Sequence, residues 1–466
     1  MSMSQIAEQT ANEAKSFIES SFSDLQEELI ALAKIPGIAW DAFDANDLEI
    51  SAEAVAALLK GLEVFDFVDI RRSQAAGKMG APAVVAKRAA KNGKPQILLY
   101  AHHDVQPPGD ETAWKTEPFE PTLIGNRLYG RGAADDKAGI VTHIAAIRAL
   151  KHIVGADFDL GLTLFIEGEE EAGSPTFRNF LDENKSDLQA DVIIVADSGN
   201  WTVDVPALTT TLRGLVSQVI EVSTLDHALH SGMYGGAVPD AMLATIKLLA
   251  TLHDDEGNVA IAGLKQGIAD DLPYSEDQLR IDAGLLGGTQ QIGEGSILDR
   301  IWTKPALTVI GIDGQSVALS SNTMLPMVKA KISLRIAPGE VPEEALALLR
   351  SHLEANIPFG ATLNYGEIEL GKPFSGISEG WAKSAAEQAL SLGFGQNSVN
   401  IGIGGSIPFI ADLTEVFPKA QILVTGVEDP DSRAHSPNES VDLQMLKKAM
   451  VSEALLLISG NSRDAR

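Results

Sequence analysis

The chain contains no cysteine. That absence excludes disulfides, thiolate metal sites and a cysteine nucleophile, so any metal must rest on His, Asp and Glu. Cationic side chains are scarce beside acidic ones: 36 Lys and Arg stand against 64 Asp and Glu, a formal net charge of -28 over 466 residues. Nucleic acids and anionic membrane surfaces are held by clustered Lys and Arg, so neither is expected as a partner. Long apolar runs are lacking too, since none reaches the roughly 18 residues of a membrane span. The start, "MSMSQIAEQTANEAKSF", has no basic segment leading into an apolar one, so no signal peptide is expected and a soluble, cytoplasmic protein is. Internal repeats and low-complexity tracts are also absent. What is present is a 45% hydrophobic composition, enough for a full core, in a chain too long for one ordinary domain.

The organisation is α/β. "SDLQEELIALAKI" carries Ser23 and Gln26 in capping-box spacing, with Leu25, Leu29 and Leu32 on one helical face. "SAEAVAALLKGL" reads as a second helix with Ser51 as its N-cap. "PAVVAKR", "PQILLYA", "LGLTLFI", "DVIIVA" and, much later, "QILVTGV" are short apolar runs of the kind found in strands buried on both faces of a mostly parallel sheet. The interval before the last of them has another grammar. "GLVSQVIEVS", "AMLATIKLLATL", "ALTVIGIDG", "MVKAKISLRIA", "PEEALALLRSHLEANI" and "ATLNYGEIEL" read as βαββαβ, a ferredoxin-like order. The expected division is therefore a discontinuous catalytic domain, 1–208 and 371–466, with an inserted domain at 209–370.

Ligands of open α/β sheets bind beyond the carboxyl ends of the strands. Four of these runs are followed there by chemistry: His102, His103 and Asp104 after "PQILLYA"; Glu167, Glu169, Glu170 and Glu171 after "LGLTLFI"; Asp197 after "DVIIVA"; and, beyond "QILVTGV", His435. Asp135 and Asp136 precede a helix between the first two. Singly, each reads as a cap, a turn residue or a solvated face. Together, so many acids on one sheet edge repel unless cations neutralise them, and carboxylates with two histidines suit a pair of divalent ions. Alternation along an extended chain sends His102 and Asp104 one way and His103 the other. His102 can then ligate a metal while Asp104 receives its other ring nitrogen.

"HHDVQP", "LYGRGAADDKAG", "EGEEEAGS", "VADSG", "LHSGMYGG", "SLRIAP", "GGSIP" and "AHSPNE" occur in this order. In them the chain resembles the dinuclear-zinc metallopeptidase family of carnosine dipeptidase, cytosolic non-specific dipeptidase, carboxypeptidase G and succinyl-diaminopimelate desuccinylase. The dipeptidase branch is the nearest in motif texture. The resemblance implies one metal on His102, Asp135 and Asp197 and a second on Asp135, Glu171 and His435, with Asp135 bridging. It implies Glu170 as general base toward a water between the metals, with Asp104 behind His102. It also implies an inserted domain that dimerises, His230 completing the partner's site, and Arg335 and Ser406 at the substrate's carboxylate. Zinc is the expected metal, with manganese or cobalt as alternatives. The expected function is a metal-dependent dipeptidase acting on small peptides as a homodimer. The alternatives are an N-acyl-amino-acid deacylase with the same metals, or a binding protein that kept the fold, against which Glu170 and the complete ligand set argue. The chain departs from the family in one place: carnosinase-like members carry an Arg-Glu pair before "GGSIP", and here Gly402 and Ile403 stand instead.

Overall fold

The computed structural model describes residues 3–376, 380–405 and 407–463. The chain divides into two compact units, one comprising residues 1–210, 376–401 and 409–466, the other 211–375 and 402–408.

The first unit is built on a mixed sheet. Its centre is parallel, in the order Gly161–Glu167, Gln96–His102, Val192–Val195 and Gln421–Thr425. Antiparallel strands flank it: Ala83–Arg88 and Phe67–Arg71 on one side, and Leu208 and Thr209 against Thr425 and Val424 on the other. The parallel arrangement expected of the apolar runs thus holds at the centre and gives way at the flanks. The central strands alternate into two buried layers. Ile97, Leu99, Leu162 and Leu164 join a core with helices Met3–Ala33, Lys137–Val154 and Leu443–Ser462. Tyr100 and Phe165 face the other way into a cluster of rings with Phe177, Phe180 and Phe409. Both faces are covered, which is why these strands read as continuous apolar runs.

Two expected helix starts are displaced. No helix begins at Ser23, because the first helix spans Met3–Ala33. Buried Ala11, Ala14, Ile18, Phe22, Leu25, Leu29 and Leu32 form one stripe at helical spacing, so its burial carries it through the capping-box pattern. Ser51 is not a cap either. Helix Ala45–Gly61 is capped by Asp44, whose side chain accepts from Asn46 N, and Ser51 lies buried within it, donating to the His103 carbonyl at 3.2 Å.

The second unit contains a four-stranded antiparallel sheet in the order Ala306–Asp313, Met327–Ile336, Gly214–Ser223 and Thr362–Gly371. Helices Ala241–Ala250 and Pro342–Asn356 complete a strand-helix-strand-strand-helix-strand succession. Val216, Ile220, Ile332, Leu334, Ile336 and Leu307 pack with Ala244, Leu248, Leu349 and Leu353 on one face of the sheet. The irregular stretch after His253 holds a short helix, Glu276–Asp282, and a π-turn, Asp299–Thr303. Among the described residues no helix is long and apolar enough to cross a membrane.

Candidate active site

The carboxyl ends of the central parallel strands converge. Gln96–His102 ends on His102, and Gly161–Glu167 leads into the turn Glu169–Glu171. Val192–Val195 leads to Asp197, and Gln421–Thr425 opens the loop that carries His435. Asp135 stands before helix Lys137–Val154, in a peptide with Asp136 that is cis. Ligand atoms of His102, Asp135 and Asp197 lie within 4.8 Å of one another, as do those of Asp135, Glu171 and His435. Asp135 belongs to both groups. His102 Nε2 stands 2.9 Å from Asp135 Oδ1, and His435 Nε2 stands 3.0 Å from Asp135 Oδ2 and 3.3 Å from Glu171 Oε2.

The backbone aims these groups. Asp104 takes Glu170 N and Glu171 N at 3.1 and 3.0 Å, fixing the turn that presents both glutamates. The nearest acceptor of His102 Nδ1 is the Asp104 carbonyl oxygen at 3.1 Å, with the carboxylate at 3.5 Å, so Asp104 serves His102 chiefly through its backbone. His103 points elsewhere: it is buried, its Nε2 is 2.7 Å from the Pro82 carbonyl, and burial lowers its pKa to about 4, which keeps it neutral. Glu169 accepts from Ala81 N and Thr176 N and staples its own turn.

Residues without a role in the sequence reading prove central here. Glu439 is fully buried and accepts from Gly132 N, Ala134 N and Asp135 N at 3.1, 2.9 and 3.1 Å, while pairing with Arg131 at 2.6 Å. It holds the loop that delivers Asp135. Its signal was the last letter of "AHSPNE". Gln106 donates to Glu171 Oε2 at 2.7 Å, and Tyr100 donates to Glu167 at 2.6 Å. Glu428 runs beside the Asp197 turn, its N–H donating to the Ser198 carbonyl and its carbonyl accepting from Asn200 N. It is the first acid after "QILVTGV", where strand-end reasoning passed on to His435.

The electrostatics have one sign. Burial and neighbouring carboxylates push Glu170 and Glu428 well up, Glu171 up to about 8 and Asp197 up to about 6. Asp135 is the exception: burial opposes its charge, but hydrogen bonds from His102 and His435 outweigh burial and hold it low. His435 is raised to about 9, first by its hydrogen bond to Asp135. Protons and imidazolium charge therefore stand where cations are needed. The buried Asp136 Oδ1 and Glu167 Oε1, without hydrogen-bond partners, add to that demand. An all-oxygen-and-imidazole donor set split into two trios that share a carboxylate fits two divalent ions.

Two residues of the sequence reading lie in the second unit. His230 is exposed, and its Nδ1 accepts from Gly232 N at 3.0 Å. Arg335 is half-buried on Met327–Ile336, opposite Leu215. Ser406 lies outside the described residues. At the departure from the family pattern, a Cβ on Gly402 would come within 2.7 Å of Trp302 Cβ and Thr211 Oγ1, so Trp302 takes the space a side chain would need.

An α/β unit with paired carboxylate–histidine trios at its strand ends is that of a metallohydrolase. Residues 98–458 match the model of peptidase family M20/M25/M40, and the chain belongs to that family. It is a hydrolase of peptide bonds. The chain is similar to a cysteinylglycine-S-conjugate dipeptidase of Corynebacterium striatum, 33% identical over 384 residues, 81% of this chain and 84% of the relative. It is also similar to a β-Ala-His dipeptidase of Rattus norvegicus, 27% identical over 379 residues, 78% of this chain and 76% of the relative. The solved structure of the dipeptidase Dug1p from Saccharomyces cerevisiae shares the fold, with a TM-score of 0.75 at 22% identity, covering 97% of this chain and 99% of that one.

Proposed function

We propose that the protein is a metal-dependent dipeptidase that hydrolyses the amide bond of dipeptides with a free terminal carboxylate. The observation that carries this reading is the pair of trios sharing Asp135 with Glu170 beside them. The dipeptidase names of the relatives support the substrate class.

His102, Asp135 and Asp197 would hold one ion and Asp135, Glu171 and His435 the other. We take zinc as the metal, with manganese and cobalt as the alternatives to be tested. Two such ions supply a water of lowered pKa and polarise the scissile carbonyl. Glu170 is the chain's own proton carrier: it takes a proton from the attacking water and returns it to the leaving amine. Its position follows from the Asp104 carboxylate, which anchors Glu170 N and Glu171 N in the same turn. Arg335 offers a bidentate donor for the terminal carboxylate, and Ser406 is assigned to the same region.

The proposal includes a homodimer through the inserted unit, with His230 acting in the partner's site. Among the described residues the His230 side chain makes only a local cap contact, which suits a side chain that works elsewhere. Mixing His230→Ala protomers with Glu170→Ala protomers then restores activity through the hybrid sites. No recovery after proven subunit exchange contradicts the shared site. A cytoplasmic location is proposed with it and is tested by cell fractionation.

A deacylase of N-acyl amino acids is the second reading, and the Gly402–Ile403 departure, with Trp302 filling the space, favours keeping it in view. The experiment is hydrolysis of a dipeptide panel with matched N-acetyl and N-succinyl amino acids, by chelated enzyme given back zinc, manganese or cobalt. Restored cleavage of free-amine dipeptides is expected, and cleavage of the acylated compounds alone would replace the dipeptidase by the deacylase.

A further inference from the structure

The two trios and Glu170 do not use up the acids at the strand ends. Asp104, Asp136, Glu167, Glu169 and Glu439 are buried, and each is held by the chain itself. Asp104 takes Glu170 N and Glu171 N, Glu169 takes Ala81 N and Thr176 N, and Glu439 takes three backbone N–H groups and Arg131. Glu167 accepts from Tyr100, and Asp136 Oδ2 accepts from His102 N at 3.2 Å. Glu428 is placed differently. It is partly exposed, as are Glu170 and Asp197. Its backbone spans the Asp197 turn: its N–H donates to Ser198 O at 3.2 Å, and its carbonyl accepts from Asn200 N at 2.8 Å. It therefore lies just beyond the carboxyl ends of the parallel neighbours Val192–Val195 and Gln421–Thr425. Desolvation by the surrounding protein first, and then the charges of Asp135, Asp197 and Glu439, push its pKa well up, so its carboxyl stands near the trios without belonging to either.

Charge matching says what such a group can meet. Two divalent ions would balance the carboxylates of Asp135, Asp197 and Glu171 together with Glu170. Glu428 is then a surplus negative charge beside the reacting centre, and a charge drawn partly out of water calls for an opposite one. In a dipeptide the amino group is two bonds from the scissile carbonyl carbon. A scissile carbonyl at the trios thus brings the ammonium to the edge of the same cluster. The carboxylate that receives it has to come from these strand ends and has to be reachable, which the buried and already engaged acids are not.

We propose that Glu428 receives the ammonium of the substrate's free amino group and so selects dipeptides over N-acyl amino acids. The inference rests on the dipeptidase reading. It makes Glu428 a specificity residue, because a hydrogen bond between two charged groups is stronger than a neutral one and an acyl chain offers neither.

The test measures calorimetric binding by the full-length, metal-loaded Glu170→Gln protein, which leaves ligands uncut. The ligands are alanylglycine and N-propionylglycine, which share the amide and the terminal carboxylate and differ by the ammonium alone. Alanylglycine is expected to bind more tightly. Adding Glu428→Gln lowers that preference about 10- to 100-fold, the range for a hydrogen bond to a charged group, while N-propionylglycine affinity and metal content hold. Glu428→Asp keeps the charge on a shorter arm and retains part of the preference. Should Glu428→Gln fail to fold, Glu428→Ala decides by the same comparison. Equal weakening toward both ligands, or loss of metal, makes Glu428 only a support of the centre and overturns the proposal. A preference that is absent from the start, or intact without the carboxylate, overturns it as well. Turnover of the two compounds by the metal-loaded wild type judges the dipeptidase reading separately. Cleavage of N-propionylglycine alone removes that reading, whereas the role of Glu428 stands or falls on the ammonium preference.

Discussion

The two units hold their candidate site residues in opposite ways. In the first, His102, Asp135 and Glu171 are buried, and the backbone aims them: Glu439 collects the N–H groups of the Asp135 loop and Asp104 those of the Glu170–Glu171 turn. In the second, His230 is exposed and its side chain takes a local cap bond from Gly232 N, while Arg335 is half-buried on a strand of the antiparallel sheet. The difference teaches where each kind of chemistry is prepared. Charges that must converge need prior desolvation and a rigid scaffold, and the folding energy of the core supplies it. Groups that meet a ligand or a second chain can stay at the surface, where their loss costs activity but little stability.

The sharpest way to break this comparison is at the shared carboxylate. Asp135→Ala should release both metals and abolish turnover, with metal content read by mass spectrometry; retention of two ions would remove Asp135 from the centre. Next comes Glu439→Gln, which leaves Arg131 charged and buried without its partner. A loss of about 3–5 kcal/mol is expected for breaking such a pair, together with a roughly 10- to 100-fold fall in metal affinity for a lost supporting contact. Denaturant melts with and without metal separate the two effects. A third variant probes the scaffold alone. His143 is buried, with Nδ1 2.7 Å from Glu453 and Nε2 3.0 Å from the Tyr100 carbonyl, and the carboxylate raises its pKa against the pull of burial. A raised pKa stabilises fully below the unfolded value near 6.5 and fades as pH rises through the folded one. His143→Gln should therefore cost more stability at pH 6 than at pH 9, by melts at both, and an equal cost would remove the charge from the account. The smallest effect belongs to the second unit: His230→Ala should shift stability by less than about 0.5 kcal/mol while lowering turnover.

Much of the site could be read from the sequence because strand ends are legible. A buried parallel strand is a continuous apolar run, and the acid or imidazole after it stands at the sheet edge, which located His102, Glu171, Asp197 and His435. Glu439 escaped because its work is accepting three backbone N–H groups, and no residue pattern reveals the path of a loop. Ser23 and Ser51 misled for a related reason. Each satisfied a local capping rule, but the buried stripe from Ala11 to Leu32 and the Asp44 cap decided where the helices begin. The Asp104 carboxylate, expected to accept from His102, accepts instead from Glu170 N and Glu171 N and stands 3.5 Å from the His102 ring.

Glu170 is proposed to carry protons within a site that two ions complete. Its direct test is metal stoichiometry and dipeptide turnover measured side by side for the wild type and Glu170→Gln. Two divalent ions per chain are expected in both proteins, with turnover reduced about 100- to 10,000-fold in the variant, the usual worth of a positioned acid–base group. Undiminished turnover by a fully metallated Glu170→Gln protein would contradict it.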